Sequence, residues 1–194
     1  MQVCIYTTNR SFYLEGMFLF RRSPEDYACF HSAKKWAAAK YYLDRSGTLP
    51  ILIREDHKDD TNELACTFLA DLVDIWFAFP KDVETSEARE AWLKEKLWLQ
   101  REVIKHDPDP RFGGWKDQLD AWEISHALKA KTNYCIRNLR KIEPLPLPKL
   151  MKRDGGEPLS EKFIYSYSIC WYPESEVHIV DVAGKVDHSS RLSN

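Results

Sequence analysis

No Cys-x-x-Cys pair, no His-x-x-x-His pair, no glycine-rich phosphate loop and no Gly-x-Ser-x-Gly turn occurs in the 194 residues. Those gaps remove the short-range signatures of structural zinc, zinc hydrolases, nucleotide hydrolases and serine hydrolases. An excess of positive charge is missing too. The formal net charge is -2, whereas coating duplex DNA by bulk electrostatics calls for a clearly basic balance. No apolar run approaches the ~20 residues needed to cross a bilayer. Met1–Tyr6 shows no basic stretch leading into an apolar one. The expectation is a cytoplasmic chain without membrane contact. The five cysteines (Cys4, Cys29, Cys66, Cys135, Cys170) are odd in number and widely spaced. They read as small apolar residues in a reducing compartment. No metal and no cofactor is expected.

What is present is an ordinary globular balance, 44% hydrophobic and 30% charged, with seven Trp, nine Tyr and nine Phe. So many rings mean either a large core or a binding surface built from flat side chains. A chain of this length buries roughly 70% of its unfolded surface, so one core stands without disulfide or metal. The expected layout is a single domain over 1–184, a helical insertion at about 85–131, and a disordered tail over 185–194.

Residues 2 to 8 are rich in β-formers and predict a first strand. Phe12 to Phe20 is apolar but holds Gly16, which suggests a second strand or a buried loop. Ser23-Pro24-Glu25-Asp26 has the form of a helix start: a hydroxyl cap, proline at the first position and two carboxylates. Tyr27, Phe30, Ala33, Ala37 and Tyr41 follow at helical spacing, and Gly47 supplies a stop, so a helix is predicted over about 24–45. Pro50–Arg54 and Cys66–Phe79 predict two strands of a hairpin joined by the polar stretch 55–62. A second helix is predicted from Thr85 or Ser86 to about Lys105, and a third pattern runs from Trp115 to His126. Strand character returns at 133–142. The period-two alternation around Phe163, Tyr165, Tyr167, Ile169 and Trp171 marks a late strand, and Val177–Val182 a last one.

Strands outnumber helices and do not alternate with them, which predicts an α+β fold whose sheet curls into a small barrel flanked by helices. This order, together with Cys4–Thr8, Trp36, Ile51–Arg54, Thr67–Ile75, Tyr134–Ile142 and Glu157–Ser160, resembles the PUA-like superfamily and, within it, EVE and YTH-type domains. The resemblance spans about two-thirds of the chain, treats 85–131 as an insertion, and lacks the Gly-Asp pair common before the central strand. It implies a non-enzymatic module that holds a modified or flipped base of DNA or RNA in an aromatic-lined pocket. By position it implies Trp36, Trp76, Phe77 and Phe79 as base-binding aromatics, with Asn9 as a polar contact. Stacking one base on an aromatic face contributes roughly 1–3 kcal/mol. Cations must then meet the phosphates, and Arg10, Arg21, Arg22, Lys34 and Lys35 are the candidates.

Blander readings stand beside each of these. An aromatic on an amphipathic helix is ordinarily core, which suits Trp36 and Trp92. Trp98 falls off the apolar stripe and, with Trp115, suggests a protein-docking surface on the 85–131 helices. The Asp56-His57-Asp59-Asp60 cluster and the run Lys149, Lys152 and Arg153 read as solvated loops. A related enzyme class, the ASCH type, resembles the same fold turned to hydrolysis of nucleosides or RNA. It needs a threonine, a lysine and a carboxylate in one cleft, for which Thr7 or Thr8, Lys34 or Lys35, and Glu63 are the available residues.

Overall fold

A computed structural model describes residues 2–56, 64–100, 102, 124–153, 156–159 and 167–180, without the side chains at 10–13, 20 and 56. The strands are β1 (Gln2–Arg10), β2 (Tyr27–Ser32), β3 (Leu49–Asp56), β4 (Ala65–Trp76), β5 (Thr132–Pro146), β6 (Met151–Lys152) and β7 (Ser168–Tyr172). Helices α1 (Ser11–Phe20) and α2 (Ala37–Ser46) flank β2, and α3 (Ser86–Lys96) follows β4. The fold is α+β. Its seven strands form one sheet in the order β2-β5-β4-β3-β1-β7-β6. β1 runs parallel to β3, and every other pairing is antiparallel.

Among the described residues the sheet is open, with β2 and β6 at its edges. The closed small barrel expected from the strand-rich order is not formed. Curvature is present nonetheless, because the β4–β5 ladder is interrupted by register shifts at three places, and bulges bend and twist the bulged strand. One is pinned chemically. Asn138 adopts φ 51, a left-handed conformation that asparagine tolerates. Its Nδ2 donates to Asp71 Oδ2 at 3.0 Å, while Arg140 Nη2 donates to Asp71 Oδ1 at 2.9 Å.

Three segments fold otherwise than their local patterns predict; in the predicted last strand the described residues 177–180 form only an isolated bridge between Ile179 and Ile142. The stretch 12–20 is helix α1, not strand or loop, with Leu14 and Met17 fully buried one turn apart. A short, mostly apolar run buries well as either element, so periodicity does not separate the two. The predicted 24–45 helix is divided, its first half being β2 and only its second half α2. Ser23–Asp26 does cap, but it caps a turn. Asp26 Oδ2 accepts from the N–H groups of Arg22 and Ser23, and Ser23 Oγ accepts from Glu25 N–H at 3.1 Å. Cys29 is then bonded to Cys135, its direct partner across the β2–β5 ladder, with Cα atoms 4.2 Å apart. This corrects the reading of five free thiols; Cys4, Cys66 and Cys170 remain free and buried.

Other local signals match the structure. Gly47 has φ 76 and closes α2 through its N–H to Leu43 O. Thr85 caps α3 by accepting from Ala88 N–H. The chain between β4 and β5 carries α3 and a helix over 124–129. Leu93, Leu97, Ile124 and Ala127 from that stretch cover Cys29, Trp76 and Cys135 on one face of the sheet. The opposite, concave face carries Ile5, Ile51, Phe68, Leu72 and Tyr134 beneath α1 and α2. A third cluster, around Cys4, Tyr6, Leu52, Cys170 and Tyr172, is closed by Leu147, Leu150 and Leu159.

Candidate single-base site

The loop between β2 and α2 is tied to the start of β5 by one buried hydroxyl. Thr132 Oγ1 donates to Lys34 O at 2.7 Å and accepts from Trp36 N–H at 3.0 Å. Trp36 O then accepts from Lys40 N–H, which makes Trp36 the cap residue of α2 rather than a residue within it. So held, the indole stacks on Tyr134 at 4.2 Å and 23°, and on Tyr167 at 4.6 Å and 25°. Offset stacks at such spacings are the favoured geometry of aromatic pairs.

These three rings line a cavity of ≈ 270 Å³ together with Thr7, Thr8 and His31. Ser32, Ala33 and Lys34 complete the lining, and the last two are exposed, so the cavity opens at the surface. Strand curvature makes this meeting. Thr7 on β1 and Tyr134 on β5 are separated in the sheet by β3 and β4, yet both line the cavity. Burial pushes the pKa of the Tyr134 hydroxyl up. The Trp36 Nε1–H is buried and has no hydrogen-bond partner among the described residues. Unsatisfied buried donors are rare enough to need an explanation.

No protein-family model matches the chain, and no curated protein matches it in sequence. Among solved structures it is similar to the N-terminal domain of Staphylothermus marinus McrB, at 11% identity and a TM-score of 0.38, over 73% of this chain and 75% of that one. A likeness that distant carries no argument about fold or function. The chemistry of the cavity has to be read from its own residues.

The structure distributes the sequence-derived site residues over four places. Trp36 and Lys34 line the cavity. Lys35 lies beside it, its Nζ 5.2 Å from the half-buried Phe77 ring. Trp76 and Phe79 belong to the other face of the sheet, where both pack edge-on against Trp92. Trp36 and Trp76 are 1% and 9% exposed and do not share one concavity. Arg21 and Arg22 lie at the end of α1. Arg21 Nη1 donates to Leu139 O beside Phe18, and Arg22 pairs with Glu102 at 3.8 Å and covers Trp98. Asn9 pairs with Glu55 along β1 and β3, and the side chain of Arg10 lies outside the described residues.

Thr7, Thr8 and Lys34, three of the groups suited to a hydrolase, meet in the cavity, whereas Glu63 lies outside the described residues, as do Trp115 and His57 to Asp60. Trp98 is half-buried against the core. Lys149 and Lys152 are paired with Glu176 and Glu157, and Arg153 donates to Tyr42 Oη. Tyr134, Tyr167 and His31 were not singled out from the sequence as site residues. The one signal for Tyr167 was its place on the aromatic face of the alternation around 163–172.

Buried hydroxyls also set a pH response. Burial raises the pKa of Tyr6 and Tyr134, and it pushes Tyr172 up to about 12. The folded chain therefore holds these protons to higher pH than the unfolded chain, whose tyrosines titrate near 10. Their stabilisation is complete below pH ~10 and is lost as the pH rises toward the folded values. Stability is expected to fall between pH ~10 and ~12, with tyrosinate absorbance rising together with unfolding. Tyrosinate forming well before unfolding would contradict the burial of these rings.

Proposed function

We propose that this chain is a nucleic-acid-binding module that takes a single modified or extruded base at the Trp36–Tyr134–Tyr167 cavity. The observation that carries the reading is the stack of three rings lining one cavity. Flat rings supply sequence-tolerant stacking. Thr7, Thr8 and His31 supply hydroxyl and imidazole groups for a polar edge.

Local charge supports the same reading despite the net charge of -2. Lys34 and Lys35 sit on the loop at the cavity mouth. Lys131 adjoins it, its N–H donating to Ser32 O at 3.1 Å. None of the three is in a salt bridge with a described residue, in contrast to Lys149 and Lys152 on the far loop. Their ammonium groups are placed to meet phosphates at the mouth.

Single- and double-stranded oligonucleotides, unmodified or carrying methylated bases, should therefore bind in a salt-dependent manner, with preference for one modification. Each of Lys34→Ala, Lys35→Ala and Lys131→Ala should flatten the log K against log salt slope by about 0.7 for a single strand, leaving the base preference intact. Absence of binding to every oligonucleotide at low salt would end this reading.

A further inference from the structure

Resting on that reading, we propose that Tyr167 occupies the place of the bound base, so that a ligand base enters by displacing the tyrosine ring from Trp36. The stack is asymmetric in how its outer rings are held. Tyr134 is buried within β5, paired on one side with Phe30 and on the other with Ile75. It is fixed by a ladder on both sides.

Tyr167 is half-buried and stands just outside β7, beyond the last ladder pair, Tyr6 with Ser168. Its hydroxyl makes one long bond, 3.3 Å, to Lys35 O. Yet its ring lies on Trp36 at a separation and tilt that a stacked base would adopt. Trp36 is 1% exposed, stacked against both Tyr134 and Tyr167, so a base can reach its ring face only where one of these two rings gives way. The site is thus filled by its own aromatic, which among the described residues is held by one hydrogen bond and stands outside the ladder.

A self-filled site reduces apparent affinity by the fraction of molecules in which it is open. Minor conformers populated at about 10% or less correspond to a loss of at least about tenfold. Tyr167→Ala should therefore tighten binding of a modified-base oligonucleotide by about tenfold or more, chiefly through faster association. Tyr167→Phe, which keeps the ring and removes only the tether to Lys35 O, should tighten it by a smaller factor. Both are read in one titration beside wild type, with unfolding midpoints as the folding control. Tighter binding by Tyr167→Ala, including binding where wild type shows none, supports displacement. Binding by wild type that Tyr167→Ala leaves equal or weakens overturns it and makes Tyr167 a fixed platform, with the base-site reading intact. If neither wild type nor the variants bind any oligonucleotide, both readings fall.

Discussion

Trp36→Ala is expected to lower the stability of the fold by about 3–5 kcal/mol, the usual cost of truncating a buried Trp. Trp36 is 1% exposed and joins Tyr134 to Tyr167, while its backbone ties the β2–α2 loop to Thr132. Truncation would leave both tyrosines without a stacking partner and open a void in the concave core. Against a typical total of 5–15 kcal/mol, much of the protein would be unfolded at modest denaturant. Urea unfolding followed by far-UV circular dichroism checks this. A change under about 1 kcal/mol would mean that the indole is far more accessible than its burial implies. The same magnitude governs how binding is tested. Trp36→Ala confounds folding with recognition, so Trp36→Phe, which keeps a ring and removes the indole N–H, is the variant whose binding loss reports on the site.

Breaking the Cys29–Cys135 bond is the second large effect. The bond joins residues 106 apart in sequence. Closing a loop of that size removes unfolded-chain entropy that the chain-entropy model values at about 4.7 kcal/mol, with 2–4 kcal/mol more typical of measured bonds. Reduction, or the Cys29→Ser and Cys135→Ser double variant, should lower the unfolding midpoint accordingly. The bond also staples edge strand β2 to β5, so loss should be felt first in the Trp36 loop that follows β2. Thiol titration of the unfolded, unreduced protein should return three free groups, from Cys4, Cys66 and Cys170. Five thiols and an unchanged midpoint on reduction would show that the two cysteines only face one another.

Legibility from sequence followed the range of the interaction concerned. Strands β1, β3, β4 and β5, the cap at Thr85 and the stop at Gly47 were visible because each rests on neighbours within a turn or a strand. Ser23-Pro24-Glu25-Asp26 misled for the same reason. Its hydrogen bonds are those of a helix start, but the residues after it pair with β5 in place of coiling. In the site, Trp36 and Lys34 were legible as an aromatic and a cation on one segment. Trp76 was not separable from Trp36, since nothing local says which face of β4 meets α3.

By itself the sequence determined the α+β balance, the main strands, a helical stretch between β4 and β5, and the absence of any short-range catalytic or metal motif. Only the tertiary structure decided that the sheet stays open, that Cys29 bonds Cys135, and that Thr7, Trp36, Tyr134 and Tyr167 enclose one cavity. Those four residues come from β1, a loop, β5 and the approach to β7. The β4–β5 ladder that separates two of them carries register shifts at Cys66–Phe68, Leu69–Asp71 and Leu72–Asp74, the kind of irregularity that bends a sheet. Periodicity records which face a side chain takes, but not how far the sheet curls, and it is the curl that brings distant strands within reach of one ligand.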